Sequence, residues 1–247
     1  MRVVLVNQAR MTSTRLPGKV LLPVLDKPLL AYQLERLRRA RRVDEIVVAT
    51  TLNATDDPIV ELCGQLGVSI GVSVYRGSEL DVLDRYYQTA KAHAADVVVR
   101  VTSDCPVIDP ALVDQVIAAY TSGGYDYIAN TRERTFPRGM DCEVFSMAAL
   151  TEAWNEGRLP YEREHVTPFL YQHPERYRIG NVASGRDLGM HRWTVDTPED
   201  FDLIQRIITT LYPVKPEFTL NDILAEFERH LDWMQINQHI RQKELGE

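Results

Sequence analysis

Three cations, Arg10, Arg15 and Lys19, share the stretch QARMTSTRLPGKVL with Thr12, Ser13, Thr14 and Gly18, directly after the apolar run RVVLV. Cationic side chains and hydroxyls around a glycine offer a phosphate what it requires: charge, hydrogen-bond donors and room for backbone N–H groups to approach. The same composition also describes a plain basic turn. The stretch is not a Walker A loop, because Gly18-Lys19 is followed by Val20 and the earlier glycine is missing; G-x-G-x-x-G is absent from the whole chain. Two carboxylates favour the phosphate. Asp104 in TSDCP and Asp196 in VDTPED each follow an apolar segment. Beside an anion loop such a pair forms a donor set for Mg²⁺, which is commonly bound by one or two carboxylates together with substrate phosphates. Taken singly, Asp104 reads equally well as a turn cap before Pro106, and Asp196 as support for a helix starting at Thr197.

These residues are far apart in sequence, so the fold must bring them together. Val3 to Val6 reads as a buried strand, and KPLLAYQLERLRRA as a helix with Leu30, Leu34 and Leu37 at helical spacing. EIVVAT is a second strand, followed by a helix in DDPIVELCGQLG capped by Asp56 or Asp57, opened by Pro58 and closed by Gly67. VSIGVSVY reads as a third strand. SELDVLDRYYQTAKAHAA then reads as a helix with Ser78 and Asp81 at capping-box spacing, packing Leu80, Leu83 and Tyr87. DVVVRV is a fourth strand, DPALVDQVIAAY a helix capped by Asp109, and YDYIAN a further strand.

From about 130 to 190 the pattern loosens into an insertion: a basic loop and strand in TRERTFPRGMDCEVFS, then one short helix in PYEREHVTPFLYQHPERY ended at Pro174. HRWTVDTPEDFDLIQRIITTLY restores strand and helix, with Thr197 and Asp200 at capping-box spacing, and a final helix covers roughly Leu220 to Leu231. The alternation predicts an α/β chain of three α/β/α layers around a mostly parallel sheet. It forms a single domain over 1–247, with C-terminal helices at about 198–245. Ligands of such sheets bind outside the carboxyl ends of the strands. That rule places the opening loop, Asp104 and Asp196 on one edge.

Composition narrows the function classes. With 45% hydrophobic residues in 247 the chain can bury a substantial core, and a net charge of −7 repels a nucleic-acid backbone. The basic run ERLRRARRVDE, holding Arg36, Arg38, Arg39, Arg41 and Arg42, reads as cations at a helix end that face water. Cys63, Cys105 and Cys142 fit neither a disulfide framework nor a zinc site, which points to a reducing cytoplasm. No apolar run approaches about 18 residues, so neither a membrane span nor an export signal is expected.

QARMTSTRLPGKVL, RVTSDCPVIDP, GMDCEVF, REHVTP and TVDTPEDFDLI, in that order, resemble the cytidylyltransferases that activate acidic sugars as CMP conjugates. The likeness is to the spore-coat polysaccharide synthesis branch, related to CMP-Kdo and acylneuraminate synthetases, and it runs from Arg2 to about Leu211. It implies a nucleotide-diphospho-sugar transferase-like fold. It also implies transfer of CMP from CTP to an acidic sugar with release of pyrophosphate, in surface polysaccharide or glycan synthesis.

By this resemblance Ala9, Arg10, Ser13, Arg15, Leu16, Pro17, Gly18 and Lys19 match the CTP-phosphate loop, and Asp104 and Asp196 match the metal aspartates that hold Mg²⁺. Arg10, Lys19, Asp104 and Asp196 are then the catalytic set. YRGSELDVLDRYY resembles the base-reading segment, which makes Arg76 and Ser78 candidates for cytosine; their alternatives are a loop cation and a helix cap. The insertion offers Arg138, Asp141, Glu143, Arg163 and His165 to the acceptor, because an acidic sugar needs a cation for its carboxylate. His165 reads also as a packed or capping histidine. Relatives pair through the corresponding segment, which implies a homodimer.

Two rival functions share parts of this pattern. A glycosyltransferase of the same fold would usually carry D-x-D, which SDCP lacks and MDCE only approximates. A nucleotide-binding scaffold without catalysis would not need Arg10, Lys19, Asp104 and Asp196 together.

Overall fold

The computed structural model describes residues 1–242, and in it the Val-rich runs become the centre of a seven-stranded sheet. Strand β1 (Val3–Gln8) leads, through the small hairpin of β2 (Pro23–Val24) and β3 (Lys27–Pro28), to β4 (Glu45–Thr51), β5 (Val72–Gly77) and β6 (Val97–Thr102). The sheet is completed by β7 (Tyr127–Ala129), β8 (Glu143–Ser146) and β9 (Ile179–Asn181), in the order β5-β4-β1-β6-β8-β7-β9. The first four of these neighbours are parallel; β8 enters antiparallel between β6 and β7, and β9 is parallel to β7.

Both faces of the sheet are covered, which is why its central strands are continuous apolar runs. On one face, Leu5, Val48 and Val99 pack with α1 (Leu29–Leu37), α2 (Asp57–Ile70), α4 (Pro110–Gly123), α8 (Pro198–Leu211) and α9 (Leu220–Arg229). On the other, Val4, Val47 and Val98 pack with α3 (Val82–Ala92), α5 (Met147–Glu156) and α7 (Pro168–Gln172). The short helix α6 (Pro160–His165) precedes α7, and α10 (Trp233–Asn237) follows α9. The mostly parallel sheet and its three layers agree with the sequence; the antiparallel entry of β8 is an addition to it. Positions 243–245 of the expected C-terminal helices lie outside the described residues.

Several boundaries differ for local reasons. Helix α2 runs through Gly67 and ends at Gly71, whose φ of 68° supplies the left-handed cap that closes its N–H onto Gly67 O at 3.1 Å. An internal glycine costs a helix only about 1 kcal/mol, too little to end one. Helix α3 starts at Val82, because Asp81 and not Ser78 caps it, accepting the Asp84 N–H at 2.9 Å. Leu80 therefore stays outside the helix and is 87% exposed. The single helix expected around His165 is two, broken at Val166, which sits at φ 73°. The final helix stops at Arg229 and α10 follows it. Arg36 does not face water: it is buried, donates to Ile108 O and Phe218 O at 2.9 Å each, and lies over the Phe218 ring.

The expected strand at HRW is also missing. Arg192 makes only an isolated bridge with Arg138. The segment is instead held extended by Trp193 N–H to Arg138 O at 2.6 Å and Val195 N–H to Asp104 O at 2.8 Å. The second of these bonds joins the backbones beside the two candidate metal aspartates.

Candidate functional site

The opening loop leaves β1 and is clamped from below. Asp56, fully buried, accepts the Met11 N–H on one carboxylate oxygen at 2.8 Å and three donors from Thr50 and Thr51 on the other. Burial alone would push its pKa up, but these donors hold it below the ordinary carboxylate value. Gly18, at φ 71°, closes the loop by donating its N–H to Met11 O at 2.9 Å. A side chain other than hydrogen would strain that left-handed position.

This closure sends Lys19 inward. Its Nζ donates to Asp196 Oδ1 at 2.8 Å and Val195 O at 2.7 Å, and lies 3.5 Å from Asp104 Oδ2. Burial lowers the pKa of its ammonium, but the charges of Asp104 and Asp196 outweigh that and leave it above the ordinary lysine value. Asp196 also meets Arg15 Nη2 at 2.9 Å and Arg192 Nη2 at 3.0 Å. Against the upward push of burial, Lys19 first and then the two arginines hold the Asp196 carboxyl below its usual value. Asp104 is steadied by the Thr102 hydroxyl, which donates to its other oxygen.

A cleft of about 610 Å³ opens over these groups. Gln8, Ala9, Arg10, Ser13, Arg15 and Lys19 line its near side, Asp104 and Asp196 its floor, and Arg132, Arg134, Arg138, Asp141, Glu143 and His165 its far side. Arg10 is half exposed at the mouth, 3.9 Å from Glu79. On the far side Arg134 grips Asp141 with two bonds of 2.8 and 3.1 Å, and Arg132 lies 4.2 Å over the Tyr171 ring. Glu143 is buried against Arg100 and accepts the Tyr127 and Thr167 hydroxyls at 2.6 Å each. Burial, and then the neighbouring Arg134, lower the Arg138 pKa. Burial likewise holds the His165 imidazole below 6.5.

Residues 3–230 match the model of the cytidylyltransferase family. The chain belongs to that family. A spore coat polysaccharide biosynthesis protein of Bacillus subtilis is 32% identical over 239 residues, covering 93% of this chain and 95% of that protein. A 3-deoxy-manno-octulosonate cytidylyltransferase of Geobacter sulfurreducens is 36% identical over 118 residues, 48% of this chain and 45% of that one. The solved structure of a cytidylyltransferase from Leptospira borgpetersenii is 35% identical and superposes with a TM-score of 0.87, covering 99% of this chain and 100% of its own. The activity is therefore nucleotidyl transfer. Among the described residues no helix is long and apolar enough to cross a membrane.

Within this cytidylyltransferase, three sequence candidates fall elsewhere. The Arg76 guanidinium is taken up by Thr51 O at 2.8 Å, Asn53 O at 2.7 Å and Asp57 at 2.7 Å, so it ties β5 to the start of α2. Ser78 accepts the Asp81 N–H at 3.0 Å through its hydroxyl and leads the turn into α3. Arg163 binds Asp81 at 3.0 and 2.5 Å and Trp154 O at 2.9 Å, joining α6 to α3. None of the three lines the cleft.

Arg85 does line it, and sequence reasoning passed it over. It is 1% exposed, donates one Nη to Ser78 O at 2.5 Å, and its buried Nε has no partner. Burial lowers its pKa. Gly77 makes room for it, because a Cβ there would come within 3.0 Å of Arg85 Cγ. The signal in the sequence was an arginine on the apolar stripe of α3, in helical register with Val82 and Thr89, both buried.

Proposed function

We propose that the cleft transfers CMP from CTP to an acidic sugar with release of pyrophosphate, using Mg²⁺ held by Asp104 and Asp196. One observation carries the reading: Lys19 lies between these two carboxylates, 2.8 Å from one and 3.5 Å from the other. The two acids are close enough to share one cation, in a cleft whose near wall is the cationic loop. Hard oxygen donors of this kind suit magnesium, with phosphate oxygens completing its shell. Mg²⁺ there would neutralise phosphate charge and polarise the α-phosphate toward attack by a sugar oxygen.

The protein's own groups supply position and charge, which phosphoryl chemistry needs more than covalent help. Lys19 and Arg15, now on Asp196, are within the cleft to take the charge of the leaving pyrophosphate, and Arg10 at the mouth serves the outer phosphates. Ala9, Ser13 and Gly18 let the loop backbone approach them. Arg85 replaces Arg76 and Ser78 as the reader of the base: its free donors suit the O2 and N3 acceptors of cytosine, and Ser78 helps by holding Arg85 through its carbonyl.

On the far side Arg138 is the cation that suits the acceptor's carboxylate, since Arg134 is already gripped by Asp141 and Arg100 by Glu143. Glu143 accordingly shapes the pocket and need not touch the sugar, while His165 stays neutral against it near pH 7. The region near 130–190 supports both the acceptor and pairing with a second copy, and among the described residues β9 is the terminal strand of the sheet there. Three free, buried cysteines accord with a reducing, cytoplasmic setting.

The test is pyrophosphate release from CTP, UTP, ATP and GTP with Mg²⁺ against a panel of acidic sugars, including 3-deoxy-octulosonic and neuraminic types. Release from CTP that requires one of these acids is expected. Release from UTP instead, or release indifferent to the acceptor, sinks the reading. A monomer by light scattering at working concentration removes the dimer from it.

A further inference from the structure

The Asp196 carboxylate is set by groups that reach it from the end of the chain. Arg192 is 7% exposed, and each of its guanidinium nitrogens has its own partner. Nε donates to Asp200 Oδ1 at 2.8 Å, and Nη2 to Asp196 Oδ2 at 3.0 Å and Asp200 Oδ2 at 2.8 Å. Nη1 donates to Gln242 Oε1 at 2.7 Å. Asp200, fully buried, accepts the backbone N–H groups of Asp196 at 3.0 Å and Thr197 at 3.2 Å. From α10, Asn237 is 3% exposed and donates to Asp200 Oδ1 at 2.8 Å and Arg192 O at 2.9 Å. One Arg–Asp pair thus holds both the backbone and the carboxylate of Asp196, and two amides of the C-terminal segment hold the pair.

Helix capping alone does not account for this arrangement. The capping box of α8 is complete with Thr197 and Asp200, and it needs neither a partner on Arg192 Nη1 nor a buried amide from α10. Gln242, moreover, lines the cleft together with Asp196. A guanidinium is a rigid planar fork, so a bond that fixes one Nη fixes the plane in which the other points. The segment follows position 230, where the match to the family model ends.

We propose that residues 237–242 are part of the transfer site, and that Gln242, acting through Arg192, is a positioning residue that aims the Asp196 carboxylate. The proposal rests on the role given to Asp196 above. The experiment uses the full chain with Gln242→Ala and Gln242→Glu, the second of which keeps an acceptor for Arg192. Misplacing a site group by a fraction of an ångström costs turnover more than binding, so Gln242→Ala should lower kcat by about 10-fold with the KM for CTP within about 2-fold. It should also weaken Mn²⁺ binding to the CTP complex, measured without acceptor, while Gln242→Glu recovers most of both losses.

A second arm needs no ligand. Gln242→Ala and Asp196→Asn, singly and combined, should shift the urea midpoint non-additively, because the relay couples them. Additive midpoints, or wild-type kcat and Mn²⁺ affinity in folded Gln242→Ala, or equal losses in Gln242→Ala and Gln242→Glu, overturn the proposal. A wild-type protein that binds no Mn²⁺ with CTP while the midpoints are non-additive overturns the metal reading and leaves the relay standing.

Discussion

Lys19 donates to Asp196 across 177 residues of sequence, Nζ to Oδ1 at 2.8 Å, and so occupies with its ammonium the space between two acids assigned to a metal. The Lys19 ammonium is thus a counter-cation for both acids. Entry of a divalent ion alone must displace that ammonium, whereas entry with a triphosphate offers it new anions. Lys19→Met should therefore tighten Mn²⁺ binding to the nucleotide-free protein by about 10-fold, since two nearby carboxylates lose their internal partner. The same variant should lose about 10²-fold or more in kcat, the scale of removing a preorganised charge-stabilising group. Electron paramagnetic resonance titration with Mn²⁺ reads the first effect; unchanged affinity would show that Lys19 does not compete with the ion.

Asp104 and Asp196 should each cost about 10²–10³-fold in turnover when replaced by Asn, because each supplies a fixed charge in a partly enclosed cleft. Their effects on stability should differ. Asp196 is closed in by Lys19, Arg15 and Arg192, while Asp104 keeps a more exposed side chain with Lys19 as its ion-pair partner. Asp196→Asn leaves several cations facing one another and should lower the melting temperature more than Asp104→Asn does. Near-wild-type turnover in either folded variant removes it from the metal set.

The sheet and the near half of the cleft were legible because their signals are local: Val-rich runs, a basic loop with Gly18, and aspartates after apolar segments. What was not legible depends on where elements begin. Taking Ser78 as the cap of α3 put Leu80 inside the helix, and the likeness of YRGSELDVLDRYY to a base-reading segment turned attention to Arg76. Asp81 is the cap, and the helix that starts from it carries Arg85 to the cleft. Likewise Arg36, read as one of five solvated cations, is buried because the loop around Phe218 folds over it, a contact separated by 182 residues. Relations of that range leave no mark in a sequence window. The Gln242–Arg192 bond, spanning 50 residues, is another of the same kind.

Base choice separates Arg85 from Arg76. A buried guanidinium whose Nε has no partner costs stability unless a ligand satisfies it, so Arg85→Met, which gives up one bond to Ser78 O, should largely preserve the melting temperature. It should also raise the KM for CTP by about 10-fold or more and narrow the preference for CTP over UTP, at about 1.4 kcal/mol per tenfold. Arg76→Met should do the reverse, loosening the β5–α2 junction and lowering the melting temperature while the CTP/UTP ratio stays as it was. A changed ratio in Arg76→Met with an unchanged ratio in Arg85→Met returns the base to the residues first read from the sequence.

Gly139 lines the cleft at φ 99°, and a Cβ there would lie 2.4 Å from the carbonyl carbon of Trp193. The obstacle is backbone, so no side chain can move aside. Gly139→Ala should destabilise the fold by about 2–4 kcal/mol through strain and forced displacement. It should also reduce turnover, because the strand of chain pushed away runs directly into Asp196. Urea denaturation with a midpoint equal to wild type would mean that the Arg138–Trp193 contact is looser than its 2.6 Å bond indicates.

His165 and His191 set the expected acid response at mild pH. Burial disfavours the imidazolium of both, placing their folded-state pKa values below 6.5, and His191 packs between Trp193 and Phe227 with a buried Nδ1 that has no partner. A group whose folded pKa is depressed contributes stability that is present above its unfolded pKa and lost as pH falls. Between pH 7 and the folded values the unfolded chain therefore binds protons that the folded chain refuses. Stability should decline as pH is lowered through 6.5, by at most about 1.4 kcal/mol per pH unit for each histidine. His191→Phe should flatten part of that decline. Urea midpoints at half-unit intervals from pH 8 to 5.5 measure it in both proteins, and a pH slope in His191→Phe equal to that of the wild type contradicts the part assigned to His191.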